Sequence, residues 1–385
     1  ANSVRGKNLN SIISDPAANA LPYQIMTGKA DGDIVYQSGA RTYTVKGIQT
    51  NLQYEFKTEE LLHKIQAGLR YHEDMADRYG TQSTFAMTGG NMILTAPGVD
   101  GNRENQIRNA NSWATYLQYD ISYKGLTVTP GIRYENIDLN VRNYGNADYG
   151  RLANNLKTAK NELSIVLPGV GVNYAINEYM NAFGGIHKGF SPPGTPTVSS
   201  TEQAKVETAV NYELGYRINK AGLNAQAAYF LSDYDNILGS DNVSSGGAGT
   251  GNMFNAGRAK IQGLEASVEY DLLTIGDKLS DLRLPLGLTY TYTSAKFKET
   301  FTNGGGDWGS GEIKKGDLIP FITPNLLTAS LRVENDKFDV TLISRFVGNT
   351  RTKPGQDDAI VPADEVKYND VNTIGKCGIQ SQRKL

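Results

Sequence analysis

One cysteine, Cys377, and three histidines are all that 385 residues contain of those two types. A single thiol makes no internal disulfide, so a disulfide framework is excluded. Histidines at 63, 72 and 187 leave little material for a zinc site, and no Ser–His–Asp order stands out. No stretch approaches the roughly 18 apolar residues of a membrane helix, which excludes a helical membrane protein. Charge of one sign is lacking too. The net charge is −2, without the basic face that a nucleic-acid binder carries. Hydrophobic residues make up 39% and mean hydropathy is −0.42, low for a large conventional core. That average still suits a barrel, whose lipid face uses only every second residue.

What the chain does have is glycine, 42 residues, and tyrosine, 22 against 11 phenylalanines. It also has strings with two sides. "GIQTNLQYEF" (47–56) sets Ile48, Thr50, Leu52, Tyr54 and Phe56 against Gln49, Asn51, Gln53 and Glu55. "LTVTPGIRYE" sets Leu126, Val128, Pro130, Ile132 and Tyr134 against Thr127, Thr129, Gly131, Arg133 and Glu135. "VETAVNYELGYRIN" and "LRLPLGLTYTYT" repeat the pattern at 206–219 and 282–293. Period-two alternation is a strand signal. Similar segments recur along the chain, giving about fourteen strands, many near the length a tilted membrane strand needs.

Connection lengths alternate. Short turns fall at Lys124–Gly125, Asn177–Glu178, Lys220–Gly222 and Asn335–Lys337. Between them lie long polar stretches near 75–110, 140–160, 191–205, 239–255, 298–317 and 350–366. Long loops at one end and short turns at the other mark a transmembrane barrel rather than a soluble sandwich. Tyrosines near strand ends, such as Tyr119, Tyr123 and Tyr174, suit the headgroup zone.

Motifs for bound groups fare poorly. "RYHEDMADR" gathers His72, Glu73, Asp74 and Asp77, but without zinc spacing, and Glu73 points opposite to His72 on a strand. "PGVGVNY" has Tyr174 where a dinucleotide loop needs a small residue. "VDGNREN" lacks the alternating acids of a calcium loop. We expect neither catalytic residues, nor a metal, nor a cofactor.

Specific strings then point to a family. "LTVTPGIRYENI", "GGIHKGFSPP", "ETAVNYELGYR", "NAGRAKIQGLEASVEY" and "FITPNLLTASL" resemble the barrel of TonB-dependent outer-membrane receptors. "HKIQAGLRYHEDMADR" (63–78) is further similar to the ferric citrate branch. The resemblance implies an all-β fold: a transmembrane antiparallel barrel of about 22 strands in the full receptor, filled by an N-terminal plug. It implies a bacterial outer-membrane transporter for a ferric chelate, ferric citrate or a siderophore. TonB would engage through a plug that nothing in this chain matches. A passive porin is the alternative; an outer-membrane enzyme would need a catalytic dyad in the loops. We expect a loop-like extracellular segment over 1–40, part of the barrel over 41–350, and a loop with a shortened end over 351–385. The missing plug and missing final strands suggest an internal piece of a receptor.

The same alternation places Arg70, Arg133, Glu135, Glu207, Glu213, Arg217, Glu265, Glu269 and Arg332 on the polar face. A charge facing lipid costs a few kcal/mol, so these residues are expected to face the lumen and form structural ion pairs. For an anionic chelate, Arg70 and Arg133 are the candidate ligand contacts.

Overall fold

The computed structural model describes residues 3–198, 204–240, 253–255, 257–275, 282–304, 308, 310–348, 350–351, 353–356 and 376–380. Thirteen strands form one antiparallel wall in chain order. They are β1 (Arg41–Thr58), β2 (Leu61–Thr88), β3 (Glu104–Tyr123), β4 (Leu126–Asn143), β5 (Lys157–Ala175), β6 (Met180–Ser191) and β7 (Glu207–Lys220). The wall continues with β8 (Leu223–Asp235), β9 (Ala259–Asp271), β10 (Pro285–Phe297), β11 (Asn325–Glu334), β12 (Asp339–Val347) and β13 (Lys376–Gln380). Each strand pairs with the next. β13 arises where the sequence shows no alternation. The other residues between 357 and 385 lie outside the described ones.

All short connections between successive wall strands lie at one end. Lys124–Gly125 and Ala221–Gly222 have positive φ at both positions, 43° and 85°, then 34° and 80°. Two left-handed residues in a row give the type I′ hairpin turn, which needs glycine or a tolerant residue there. Only the 272–284 connection is longer, and it begins with a 3-10 turn, Leu272–Ile275.

The opposite end carries the long connections, and here the expectation for 75–110 needs correcting. β2 runs unbroken to Thr88, and β3 starts at Glu104. The outer part of β2 is the centre of a small sheet. Strand Gly32–Ser38 pairs along one edge and Asn91–Ala96 along the other. Helices α1 (Leu9–Ser14) and α2 (Ala20–Met26) close it, burying Ile12 and Ile25 with Val4 and Met87. The expected polar stretch at 140–160 is likewise narrower, because β4 extends to Asn143 and β5 begins at Lys157.

Register fixes the faces. Leu52 pairs with Ala67, Ala67 with Leu117, Leu117 with Ile132, and Ile132 with Pro168. Cross-strand partners share a face, and this Leu52 face is exposed: Leu52 at 71%, Ile132 at 50%, Leu214 at 67%. On the other side Asn51 pairs with Gly68, Gly68 with Tyr116, and Tyr116 with Arg133. We call it the Arg70 face. Gly68 is required there, because Tyr116 lies across it to donate to Asn51 Oδ1 at 3.1 Å. A Cβ at Gly68 would meet the Tyr116 ring at 2.2 Å.

The two faces exchange character part-way up the strands. On β4 the Leu52 face carries Leu126 to Tyr134, then Asn136, Asp138, Asn140 and Arg142. At the same point the Arg70 face turns apolar. Ile137, Leu139 and Val141 fall to 7%, 4% and 2% exposure, and Ile137 and Leu139 pack with Leu163 of β5. On β5 the Leu52 face holds Val166, Val170, Val172 and Tyr174, then Ser164, Glu162 and Lys160 towards the loops. β9 and β10 do the same: Leu264 and Tyr292 give way to Lys260 and Lys296, while Ala259, Ala295 and Phe297 are buried on the Arg70 face. Trp308, Ile313 and Ile319 from the 298–324 connection complete that second core.

Candidate functional site

All nine charged residues singled out in the sequence fall on the Arg70 face by register. The structure does not gather them at one place. Arg133 is held by its own strand, its Nε donating to Glu135 Oε1 at 2.6 Å, and Glu135 is only 8% exposed. Arg70 Nη2 lies 3.1 Å from His72 Nδ1, and His72 Nε2 lies 3.0 Å from Asp74 Oδ1. Glu73 points to the opposite face and pairs with Lys46 at 3.2 Å.

Farther around the wall, Glu207 accepts from the Leu238 amide at 2.6 Å, and burial raises its pKa. Arg217 donates to Gln226 Oε1 at 2.7 Å and stacks over Phe183. Arg332 pairs with Glu334 at 3.4 Å. Glu213 lines a shallow groove of about 500 Å³ with Tyr116, Arg133 and His187. The floor of that groove is Gly131, Gly169, Gly171 and Gly185, backbone without side chains. Glu265 and Glu269 are exposed on the same face.

A denser charge cluster lies above these residues, within the stretch the sequence presented as loop. Arg41 opens β1 at its loop end, Arg78 lies opposite it on β2, and Arg78 is opposite Gln106 on β3. Arg103 and Glu104 lead into β3. Arg41, Arg78 and Arg103 all reach the one carboxylate of Glu104, at 3.7, 3.9 and 3.8 Å. Arg108, one rung on, donates its Nε to Gln106 Oε1 at 3.2 Å. Side chains here are largely covered, Arg78 at 16% and Glu104 at 19% exposure.

One carboxylate does not balance four guanidiniums. The electrostatics register the surplus: the pKa of Arg108 is lowered to about 10, first by burial and then by Arg78. Arg78 is lowered as well, by burial and then by Arg41. Its Nε is buried without a hydrogen-bond partner. An added anion would favour the charged form of each of these guanidiniums. The signal was present in the sequence, since Arg70, His72, Asp74 and Arg78 share one parity on β2. Among the described residues no group of three or more His, Cys, Asp or Glu could hold a metal ion.

Residues 7–373 match the family model described as "TonB dependent receptor-like, beta-barrel". The chain belongs to that family. TonB-dependent receptor barrels are bacterial outer-membrane proteins, and the strand wall is such a barrel in part. Among solved structures it is similar to the ferric citrate transporter FecA in its unliganded form. The TM-score is 0.59 at 21% identity, covering 83% of this chain and 43% of that one. It is similar to the siderophore receptor PiuA from Acinetobacter baumannii, with TM-score 0.58 at 15% identity, covering 83% and 51%. The ferric-catecholate import receptor Fiu from K12 E. coli gives TM-score 0.55 at 16% identity, covering 86% and 51%. At these identities the likeness is one of fold. The chain spans about half the length of these structures.

Proposed function

We propose that this wall serves an outer-membrane receptor that takes up a negatively charged ferric chelate, energised from the inner membrane through TonB. The Leu52 face meets lipid up to the exchange point, and the Arg70 face lines the lumen. The long connections face outward from the cell and the short turns face the periplasm. Ligand arrives at the loop end, where Arg41, Arg78, Arg103 and Arg108 surround Glu104. That surplus of positive charge is the observation that carries the reading. Arg133 already has Glu135, so we place the ligand's charge on the cluster, with Arg70 below it. The glycine-floored groove offers a smooth wall for a plug to slide against. Ferric citrate fits the charge, and the names of the solved relatives include both ferric citrate and siderophore receptors.

Binding of ferric citrate and of a neutral ferric hydroxamate to the full receptor, read by quenching of intrinsic fluorescence, tests this. Arg78→Gln and Arg108→Gln should each weaken ferric citrate by about tenfold, the size of one charge-assisted contact. The hydroxamate should be indifferent. Unchanged ferric citrate affinity in the folded double variant would end the proposal.

A further inference from the structure

The connection 144–156 folds back on the outside of the wall, and one side chain fastens it there. Arg151 gives both ends of its guanidinium to Asp77 of β2, Nη1 to Oδ2 at 2.9 Å and Nη2 to Oδ1 at 2.6 Å. Its Nε donates to Asn105 Oδ1 of β3 at 2.8 Å. The guanidinium carbon lies 4.2 Å from the ring centre of Tyr79 and 5.4 Å from that of Tyr144. By register Asp77, Tyr79 and Asn105 are all on the Leu52 face. Asn105 is completely buried, and its Nδ2 donates to the carbonyls of Gly145 at 3.0 Å and Asp148 at 2.8 Å. Arg151 itself has φ of 54°. A residue with a Cβ keeps that left-handed conformation only where its surroundings impose it.

The residues that Arg151 grips are the chain neighbours of the arginine cluster. Asp77 precedes Arg78, and Glu104 precedes Asn105. Successive residues of a strand point to opposite faces, so the guanidinium stands behind the wall where Arg78 and Glu104 stand in front of it. The β2–β3 seam also ends at this height. Gly80 with Glu104 is its last pair, and higher up β2 pairs with Asn91–Ala96 instead. A seam end opens more readily than its middle. A planar fork of five N–H donors can bind both strands at once, which a single ammonium cannot do.

We propose that Arg151 is a positioning residue for the arginine cluster, stapling β2 to β3 from outside so that Arg78 and Glu104 keep their places inside. This deepens the uptake reading and rests on the cluster being its anion site. Arg41, Arg78 and Arg103 repel one another and are drawn together by the one Glu104 carboxylate. When the seam end opens, Glu104 moves with β3 and Arg78 with β2, and the guanidiniums lose their common centre. A chelate that must meet several of them at once then bears the cost of regathering them.

A double-mutant cycle of Arg151→Gln and Arg78→Gln in the complete receptor provides the test. Ferric citrate and a neutral ferric hydroxamate are the probes, with binding read by fluorescence quenching. Arg151→Gln alone should weaken ferric citrate roughly fivefold, the size of a coupling carried through neighbouring residues, and leave the hydroxamate unchanged. Added to Arg78→Gln it should cost less than about twofold more, because it acts through the same group. Arg151→Lys keeps the charge without the fork and should lose as much as Arg151→Gln. A residue that only fastened the connection would weaken both ligands alike, or add its full loss to that of Arg78→Gln. Either result, or unchanged ferric citrate affinity in Arg151→Gln, overturns the proposal. Should Arg151→Gln give no compact heat-modifiable form, Asp77→Asn, which keeps the side chain's size, carries the same cycle with the same expectations. Full ferric citrate affinity in Arg78→Gln would fail the uptake reading and this proposal with it. A weakened Arg78→Gln beside an unaffected Arg151→Gln fails this proposal alone.

Discussion

The lower and upper halves of the same strands obey opposite rules. From Leu126 to Tyr134, β4 is apolar outward and polar inward; from Asn136 to Arg142 it is polar outward, and Ile137, Leu139 and Val141 are apolar inward. Nothing in the backbone marks the change, since the register to β3 and β5 runs on without a bulge across it. The solvent changes instead. In the lower half lipid bathes one face, and a charge there has no partner. In the upper half water bathes that face, and the buried side is the interior, where connections fold back on the wall. The exchange point, near Glu135 on β4 and near Gly263 on β9, is thus a reading of membrane height written in the side chains.

The sharpest way to break that comparison is to place arginine at four positions of β4. At Ile132, on the lipid side of the lower half, it should cost about 2–4 kcal/mol. At Leu139, on the interior side of the upper half and only 4% exposed, it should cost about 3–5 kcal/mol, as a buried unpaired charge does. At Thr129 and Asn140, the complementary faces, the change should stay within about 0.5 kcal/mol. Urea midpoints of the heat-modifiable compact form measure all four. If Asn140→Arg were as costly as Ile132→Arg, the outer face would be lipid throughout and the exchange would have no physical meaning.

Lower halves were legible in the sequence because one parity governs them, and the alternation of Leu126 to Tyr134 or Leu286 to Tyr292 is clean. Upper halves were not, because a strand in water needs no apolar outer face. Its residues then read as loop composition, as 75–110 and 140–160 did. The arginine cluster was lost in the same way, since Arg78, Arg103 and Arg108 all fall within 75–110. A search for alternation of the opposite phase would have found Ile137, Leu139 and Val141. Composition alone would not have found Glu104 as the shared counter-charge of Arg41, Arg78 and Arg103, because that depends on how β1, β2 and β3 align.

A second prediction probes the interior core of the upper half on β8 to β10. Trp308 packs edge-on against Phe297 at 5.5 Å between ring centroids and stands at 8% exposure. Trp308→Ala should cost about 3 kcal/mol, as large aromatic truncations do. The loss should be local, because the lower half of β10 pairs with β9 and β11 independently of that ring. Limited proteolysis should then cut within 298–324 while the compact form persists. Global loss of the compact form would show that the two halves fold as one unit, contrary to the comparison.

The smallest effect belongs to the short-turn end, where one carboxylate organises the one long connection among the described residues there. Asp271, just past the last apolar rung at Tyr270, accepts from the amides of Leu284 at 3.0 Å and Leu273 at 3.2 Å. Arg283 Nε adds a third contact at 3.2 Å. These hold the Asp271 pKa below its ordinary 3.8, the Leu284 amide contributing most. A carboxylate whose pKa is depressed on folding contributes stability above its unfolded value. That contribution is lost as pH falls through the folded value. Asp271→Asn should therefore lower stability by about 1 kcal/mol at neutral pH, the worth of a charge-assisted contact. The gap to wild type should close as pH falls through the folded value, below which both carry an uncharged side chain. Denaturation midpoints of the two proteins across that range measure it. A gap that persists in acid would mean that Asp271 acts through packing and shape, and that its charge does not order the 272–284 connection.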